Sequence, residues 1–279
     1  MVTKKELLEK LRNGEISEQE IIDNGWLLSV TNRVKKIKQP RGGYLRPKDF
    51  EIAMLQGGGE DDLSPNENVN PGLVSSAVEY LTRFQTGTDP NDAFTAAKTG
   101  AMNVGELPLF EELLTGVCDL SDESVEAAIK LSGFDSAFRA GKAAYRPVEE
   151  IRPNRETVEN VRKMVDRSVL FFDQYGPKVL DGLTFEGGYT GYVVAGDGDF
   201  LTKDTLWDFK VSKQRLQTKH TLQLLMYWRM GLHSAHSESY KSIEYLGVYN
   251  PRKNIVYRLP VSKIPPETID EVEVKVIGY

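Results

Sequence analysis

The sequence predicts an α/β protein: a mainly helical first half, then a mixed sheet with helices packed against it. Two observations carry this. Apolar residues recur at helical spacing through much of the chain before Gly176-Pro177, and beyond that pair the period shortens to that of strands. The second half then reads α-β-β-β-α-β-β, an order that suits a mixed sheet flanked by helices.

Taken in order, Lys4 to Leu11 and Ser17 to Asn24 read as two short helices, the second capped by Ser17 and closed at Gly25. A basic stretch follows, with Arg33, Lys35, Lys36, Lys38, Arg41, Arg46 and Lys48. Gly42-Gly43-Tyr44 inside it marks a loop or hairpin. Residues 56–72, rich in Gly, Asn, Pro and acidic residues, read as a flexible linker or surface loop. Leu73 to Phe84, Asn91 to Gly100 (capped by Asp89 or Asn91), Phe110 to Thr115 and Ser121 to Lys142 (interrupted at Gly133) continue as helices. Arg155 to Tyr175 is the longest, stopped by Gly176-Pro177. Leu183 to Ala195, Asp199 to Lys203 and Thr205 to Ser212 read as strands. Thr218 to Met230 is a helix closed by Gly231, and Ser242 to Tyr249 and Ile255 to Leu259 are strands joined by the turn 250–254. No internal repeat interrupts this order. The expected organisation is 1–55, N-terminal helices and basic segment; 56–72, linker or loop; 73–145, a helical region; and 146–279, a core carrying the sheet. One compact domain is the alternative.

Composition narrows the class. The chain has 279 residues, enough for a sizeable core, with 40% hydrophobic and 27% charged residues. No apolar run approaches bilayer length, and the N-terminus leads into an amphipathic stretch and not a signal-peptide core. The expected location is cytoplasmic, with no membrane partner. A net charge of −6 argues against a protein that coats nucleic acid, but not against an enzyme that is basic only where it meets phosphate. Cys118 is the one cysteine, which leaves no disulfide within the chain and no Cys-rich zinc or iron–sulfur site. Its expected role is that of a buried small hydrophobe.

The segment from Gly196 to Lys210 is where chemistry concentrates. If Lys203-Asp204 is a two-residue hairpin turn, Thr202 faces Thr205, Leu201 faces Leu206, Phe200 faces Trp207 and Asp199 faces Asp208. Opposed side chains share a face, and so do residues two apart. Asp199, Asp208 and Lys210 then project from one side, with Phe200, Trp207, Phe209 and Val211 on the other. Opposed Cβ atoms lie about 5 Å apart, close enough for two carboxylates to share one cation. Two such charges repel unless a cation or proton intervenes, and hard oxygen donors favour Mg²⁺ or Mn²⁺. Lys210 could orient a water or stabilise charge in the transition state.

Asp…Asp-x-Lys across a hairpin resembles the PD-(D/E)XK nuclease superfamily. Gly196-x-x-Asp199, which lacks that motif's proline, is similar to the form found in the RecB-like and phage-exonuclease-like branch. Gln223 and Tyr227 add the Gln-x-x-x-Tyr element of the same branch, one helical turn apart on one face of the next helix. The resemblance covers roughly residues 155–260. It implies a restriction-endonuclease-like core in which Asp199, Asp208 and the main-chain carbonyl of Phe209 bind the metal and Lys210 is the catalytic lysine. It also implies hydrolysis of DNA phosphodiester bonds, by an exonuclease before an endonuclease. The family often adds a third acid from a preceding helix or strand; Glu156, Glu159 and Glu186 are the candidates, with Glu186 favoured for its glycine neighbours.

Lys213, Arg215, Lys219 and His220 flank this site and are the expected DNA contacts, and Lys and Arg of the basic stretch 33–48 could also meet phosphates, with Tyr44 stacking on a base. His233 and His236 form His-x-x-His, but a zinc site needs further ligands and His220 is the remaining histidine. No phosphate-cradling Gly-x-x-x-x-Gly-Lys motif is present, so no ATPase motor is expected in this chain. Rival readings are a catalytically idle nucleic-acid-binding or assembly module of the same fold, a structure-specific endonuclease, and a small-molecule metalloenzyme. The sequence leaves open polarity, DNA versus RNA, homo-oligomerisation, and any partner protein in recombination or repair.

Overall fold

A computed structural model describes residues 28–55 and 62–279, together with Asn13 and Glu15. The two helices expected before Gly25 lie outside the described residues. The chain enters through β1 (Leu28–Ser29) and α1 (Val30–Lys36), whose N-cap Ser29 accepts from Asn32 N–H. Part of the basic stretch is therefore helical, and Gly42-Gly43 after it is the expected loop. The short strand β2 (Glu51–Met54) follows.

Helices dominate next: α2 (Pro71–Gln85), α3 (Pro90–Ala93), α4 (Thr95–Val104), α5 (Leu107–Thr115), α6 (Asp122–Ser132), α7 (Asp135–Ala140) and α8 (Arg155–Tyr175). Their starts follow capping chemistry. Asn70, Asp89, Ser121 and Asn154 each accept a backbone N–H in the first turn. The stop at Gly176 is also as expected, its N–H bonded to Phe172 O and its φ at 93°. Cys118 corrects its expectation: it is exposed, because it falls in the turn after α5 rather than on a helix face.

The strands are β3 (Leu180–Leu183), β4 (Val193–Ala195), β5 (Gly198–Leu201), β6 (Thr205–Phe209), β7 (Tyr245–Asn250) and β8 (Ile255–Pro260). Between β6 and β7 lie α9 (Thr218–His233) and α10 (Ser237–Lys241); α11 (Pro266–Glu271) and a π-helical turn, Val272–Ile277, close the chain. Six strands form one open mixed sheet in the order β2-β8-β7-β6-β5-β3, in which only β6 and β7 run parallel. The α9–α10 segment supplies the crossover that a parallel pair requires.

Strand alternation sends side chains to two helical layers. Leu201, Leu206, Leu246 and Val248 pack with Leu222, Leu225 and Met226 of α9. Phe200, Trp207 and Tyr249 pack with Phe171 of α8, whose ring lies 4.7 Å from that of Trp207 and 4.4 Å from that of Tyr249. Gly247 makes room for the Trp207 ring: a Cβ there would meet it at 2.3 Å. The N-terminal half of α8 instead buries Val158, Val161, Met164 and Val165 among α2, α4 and α6. One helix thus serves both the helical region and the sheet.

Three other expectations need correction. Residues 183–195 are not one strand. Gly187, at φ 89°, and Gly188 turn the chain against α9, where a Cβ on Gly188 would meet Met230 O at 2.3 Å. Residues 62–70 are a loop but a tied one, since Asn160 accepts from Ser64 N at 2.9 Å and donates to Ser64 O at 2.8 Å, and Arg252 pairs with Glu67 at 2.7 Å. Helix α9 runs past Gly231 to His233, because Gly231 is used for packing: Tyr240 lies where its Cβ would be. Among the described residues no helix is long and apolar enough to cross a membrane.

Candidate functional site

The β5–β6 hairpin has the register expected of its turn. Phe200 faces Trp207, Leu201 faces Leu206, and Thr202 N–H donates to Thr205 O at 3.0 Å. Hydrogen-bonded and non-bonded pairs alternate along an antiparallel ladder. Phe200 and Trp207 form a bonded pair, so Asp199 and Asp208 fall at a close, non-bonded position. The ladder stops there. Phe209 N–H, which would otherwise reach Gly198, donates to the carboxylate of Asp199. Lys210 N–H donates to Tyr249 O at 2.9 Å, so even-numbered residues of β6 turn their backbone to β7. Phe209 therefore directs its carbonyl, like its N–H, to the Asp199 side.

Asp208 is buried at 2% exposure. Its Oδ1 accepts from Lys210 Nζ at 2.8 Å, while its Oδ2 is buried with no hydrogen-bond partner. A half-satisfied carboxylate inside a protein is costly, and either a proton or a bound cation relieves it. Burial and the neighbouring charge of Asp208 push the Asp199 carboxyl up to about 8, with Lys210 opposing and Glu79 adding to the rise. Burial also raises Asp208, against the pull of Lys210. Burial alone would lower Lys210, but Asp208 and Asp199 reverse this, and its ammonium is held charged. The two acids thus retain a proton that a divalent cation would replace.

Asp199, Asp208 and the Phe209 carbonyl are the groups that could hold such a cation, and they are hard oxygen donors. Among the described residues no three His, Cys, Asp or Glu side chains gather closely enough to chelate an ion together. Glu79, at the edge of the buried stripe of α2, acts on both Asp199 and Lys210. It was not among the sequence candidates for a third acid. Those candidates lie elsewhere. Glu186 sits in the exposed turn after β3, bonded to Thr184 and near His236. Glu159 pairs with Arg155 at 2.6 Å at the start of α8, where Glu156 also lies. None of the three is among the groups acting on Asp199.

Helix α9 covers the carboxylate face. Gln223 Nε2 donates to Tyr227 OH at 2.6 Å, and the Tyr227 ring stacks on Phe185 at 5.1 Å. Burial, then the charge of Asp208, hold the Tyr227 hydroxyl protonated. His220 precedes them on the same stripe. Its Nδ1 accepts from Gln217 N–H at 3.3 Å, which assigns the ring proton to Nε2. Burial, then Lys210 and Lys219, push His220 down to about 4, so it is a neutral donor at neutral pH. The sequence placed it beside the site as a DNA contact; the structure adds that it lies on the Gln223–Tyr227 stripe, where Lys210 acts on it. Lys213, Arg215 and Lys219 are exposed around this end of α9. His233 stacks on Tyr279 at 4.0 Å and lies 3.3 Å from Glu273, apart from the zinc role weighed for it.

Comparison of the chain with protein-family models, with curated proteins and with solved structures gave no match.

Proposed function

We propose that this protein is a Mg²⁺- or Mn²⁺-dependent nuclease of restriction-endonuclease-like fold, resembling the RecB-like branch of the PD-(D/E)XK superfamily. Its substrate is DNA, and an exonuclease is the preferred form. The observation that carries the reading is the unpartnered, buried Oδ2 of Asp208 opposite Asp199, with Lys210 held on the other oxygen. Gln223 and Tyr227 over the same strip support it.

The residues divide the work as follows. Asp199, Asp208 and the Phe209 carbonyl would hold the cation. When bound, that cation supplies Lewis acidity to a phosphate oxygen. Lys210, kept charged by the two acids, orients the attacking water and offsets negative charge as the phosphorus–oxygen bond breaks. The hydroxyl of Tyr227 and amide of Gln223 fix the wall beside the carboxylates, and the Nε2–H of His220 offers a neutral donor to a phosphate oxygen.

The test is degradation of linear and circular DNA, single- and double-stranded, by wild type and Lys210→Ala, with Mn²⁺ or with EDTA. Loss of linear DNA only, abolished by the substitution and by EDTA, is the expected result. Cutting of circles would make it an endonuclease. No cutting under any condition would leave the idle binding module.

A further inference from the structure

A second basic element, far away in sequence, is docked on the first turn of the helix that covers this site. Gln39 Nε2 donates to Thr218 O at 3.2 Å, and its Oε1 accepts from Tyr44 N–H at 3.4 Å. Gly43, at φ 91°, lies so close to Thr218 that a Cβ would meet its side chain at 2.7 Å. Thr221 Oγ1 donates to Leu45 O at 2.6 Å. Three contacts thus clamp the loop 38–46 onto the first turn of α9. Gly43 is required there for both its backbone conformation and its lack of a side chain.

The clamp brings the basic loop to the end of α9 that carries Lys219. Lys219 follows Thr218, and Lys219 and Lys210 both act on His220, while Lys210 holds Asp208 at 2.8 Å, so these cations lie beside the carboxylates. Lys38 and Arg41 flank Gln39 on the clamped loop and so are carried to the same end of α9. Both are exposed, and no ion pair engages them among the described residues. Two neighbouring arginines are engaged elsewhere: Arg46 pairs with Asp49 at 2.7 Å, and Arg33 donates to Val276 O at 2.8 Å, whereas Lys35, Lys36 and Lys48 are exposed but lie outside the contacts that hold the loop on α9. The first turn of α9 carries no acid to oppose an anion. In a chain of net charge −6, this local excess of uncommitted cations beside the site fits a polyanion.

The geometry points to the loop 38–46 as a nucleic-acid backbone track, in which Lys38 and Arg41 bind phosphates of the same strand whose scissile phosphate lies at Asp199 and Asp208. This rests on the nuclease reading. The track sets binding and leaves the chemical step to the carboxylates and Lys210.

The experiment compares wild type with Lys38→Ala/Arg41→Ala and with a control, Lys98→Ala/Lys130→Ala, which removes the same charge from the helical half. Binding of labelled DNA oligonucleotides is read by anisotropy in EDTA over a salt series. Hydrolysis of DNA and of bis-p-nitrophenyl phosphate, which is too small to reach the loop, is read in Mn²⁺. The expected result is an affinity loss of about tenfold at low salt, with the salt slope reduced by about two, for the loop variant only. Hydrolysis of the small diester is unchanged. Unaltered DNA affinity and salt slope, or an equal loss in the control, overturns the track. If wild type cleaves nothing yet the loop variant loses binding as stated, the track stands and the hydrolytic reading falls. If wild type cleaves DNA and the loop variant binds as well as it does, the reverse holds.

Discussion

Lys210 holds one oxygen of Asp208 at 2.8 Å and leaves the other buried without a partner. The ion pair is therefore asymmetric. It neutralises part of a buried charge and leaves one carboxylate oxygen free for a further partner.

Removing the lysine should accordingly harm stability as well as activity. Lys210→Ala leaves Asp208 buried and unpaired. A fully buried pair broken in this way costs several kcal/mol; Lys210 is 28% exposed, so about 1–3 kcal/mol is expected. Asp208→Asn/Lys210→Ala should recover most of that loss while remaining inactive, because the amide needs no counter-charge. Urea unfolding in EDTA checks the stability, and DNA hydrolysis in Mn²⁺ checks the activity, which falls by at least a hundredfold in both variants.

The raised carboxyl of Asp199 has a signed consequence for pH. Its folded-state value, about 8, lies above the unfolded value of about 4, so the folded form binds the proton more tightly. Without metal the protein loses stability as pH rises from about 4 through about 8, since the unfolded chain gives up that proton more readily. A divalent cation should reverse the trend, because it needs the carboxylates ionised. Thermal melts in EDTA and in Mn²⁺ across this range measure both slopes. Asp199→Asn should flatten the EDTA slope. A wild-type melting temperature in EDTA that is flat or rises from mildly acidic to mildly basic pH would refute the argument.

How much of this was legible in the sequence follows from period and distance. The hairpin register was, because a two-residue turn fixes every opposed pair and strand alternation then assigns each side chain a face. Helices α2 and α8 were, because their caps and apolar stripes are local. Strand β2 was not: Glu51, Ile52, Ala53 and Met54 are all exposed, so no alternation marks it. Nor could spacing separate β3 from β4, since the break between them depends on Gly188 meeting Met230 O of α9. The docking of loop 38–46 on Thr218 and the approach of Glu79 to Asp199 are likewise tertiary. They bring together segments that share no local pattern.

The Gln223–Tyr227 bond separates support from packing. Tyr227→Phe keeps the ring stacked on Phe185 and removes only the hydroxyl that Gln223 reaches at 2.6 Å. One hydrogen bond is worth about 1 kcal/mol of stability. A fall in kcat for DNA larger than about tenfold, with the melting temperature nearly unchanged, is expected. Equal modest effects on both would reduce the pair to packing.

Glu79 offers the sharpest contrast with a residue the sequence favoured. Its charge raises Asp199 and Lys210 from α2, whereas Glu186 lies exposed near His236. A carboxylate beside a metal site, even outside the inner ligands, typically contributes ten- to hundredfold in affinity. Glu79→Gln should weaken Mn²⁺ binding by about tenfold, read by calorimetry. It should also lower the pH at which the acid pair loses its proton, because one like charge is gone. Glu186→Gln should change neither. The two effects of Glu79→Gln oppose each other in a simple proton-competition scheme, which alone would tighten the metal. Weaker binding together with the lower deprotonation pH therefore means that Glu79 supports the cation directly or through its solvent shell. Tighter binding would mean that it acts on Asp199 only, and the helical half would then contribute no ligand to the site.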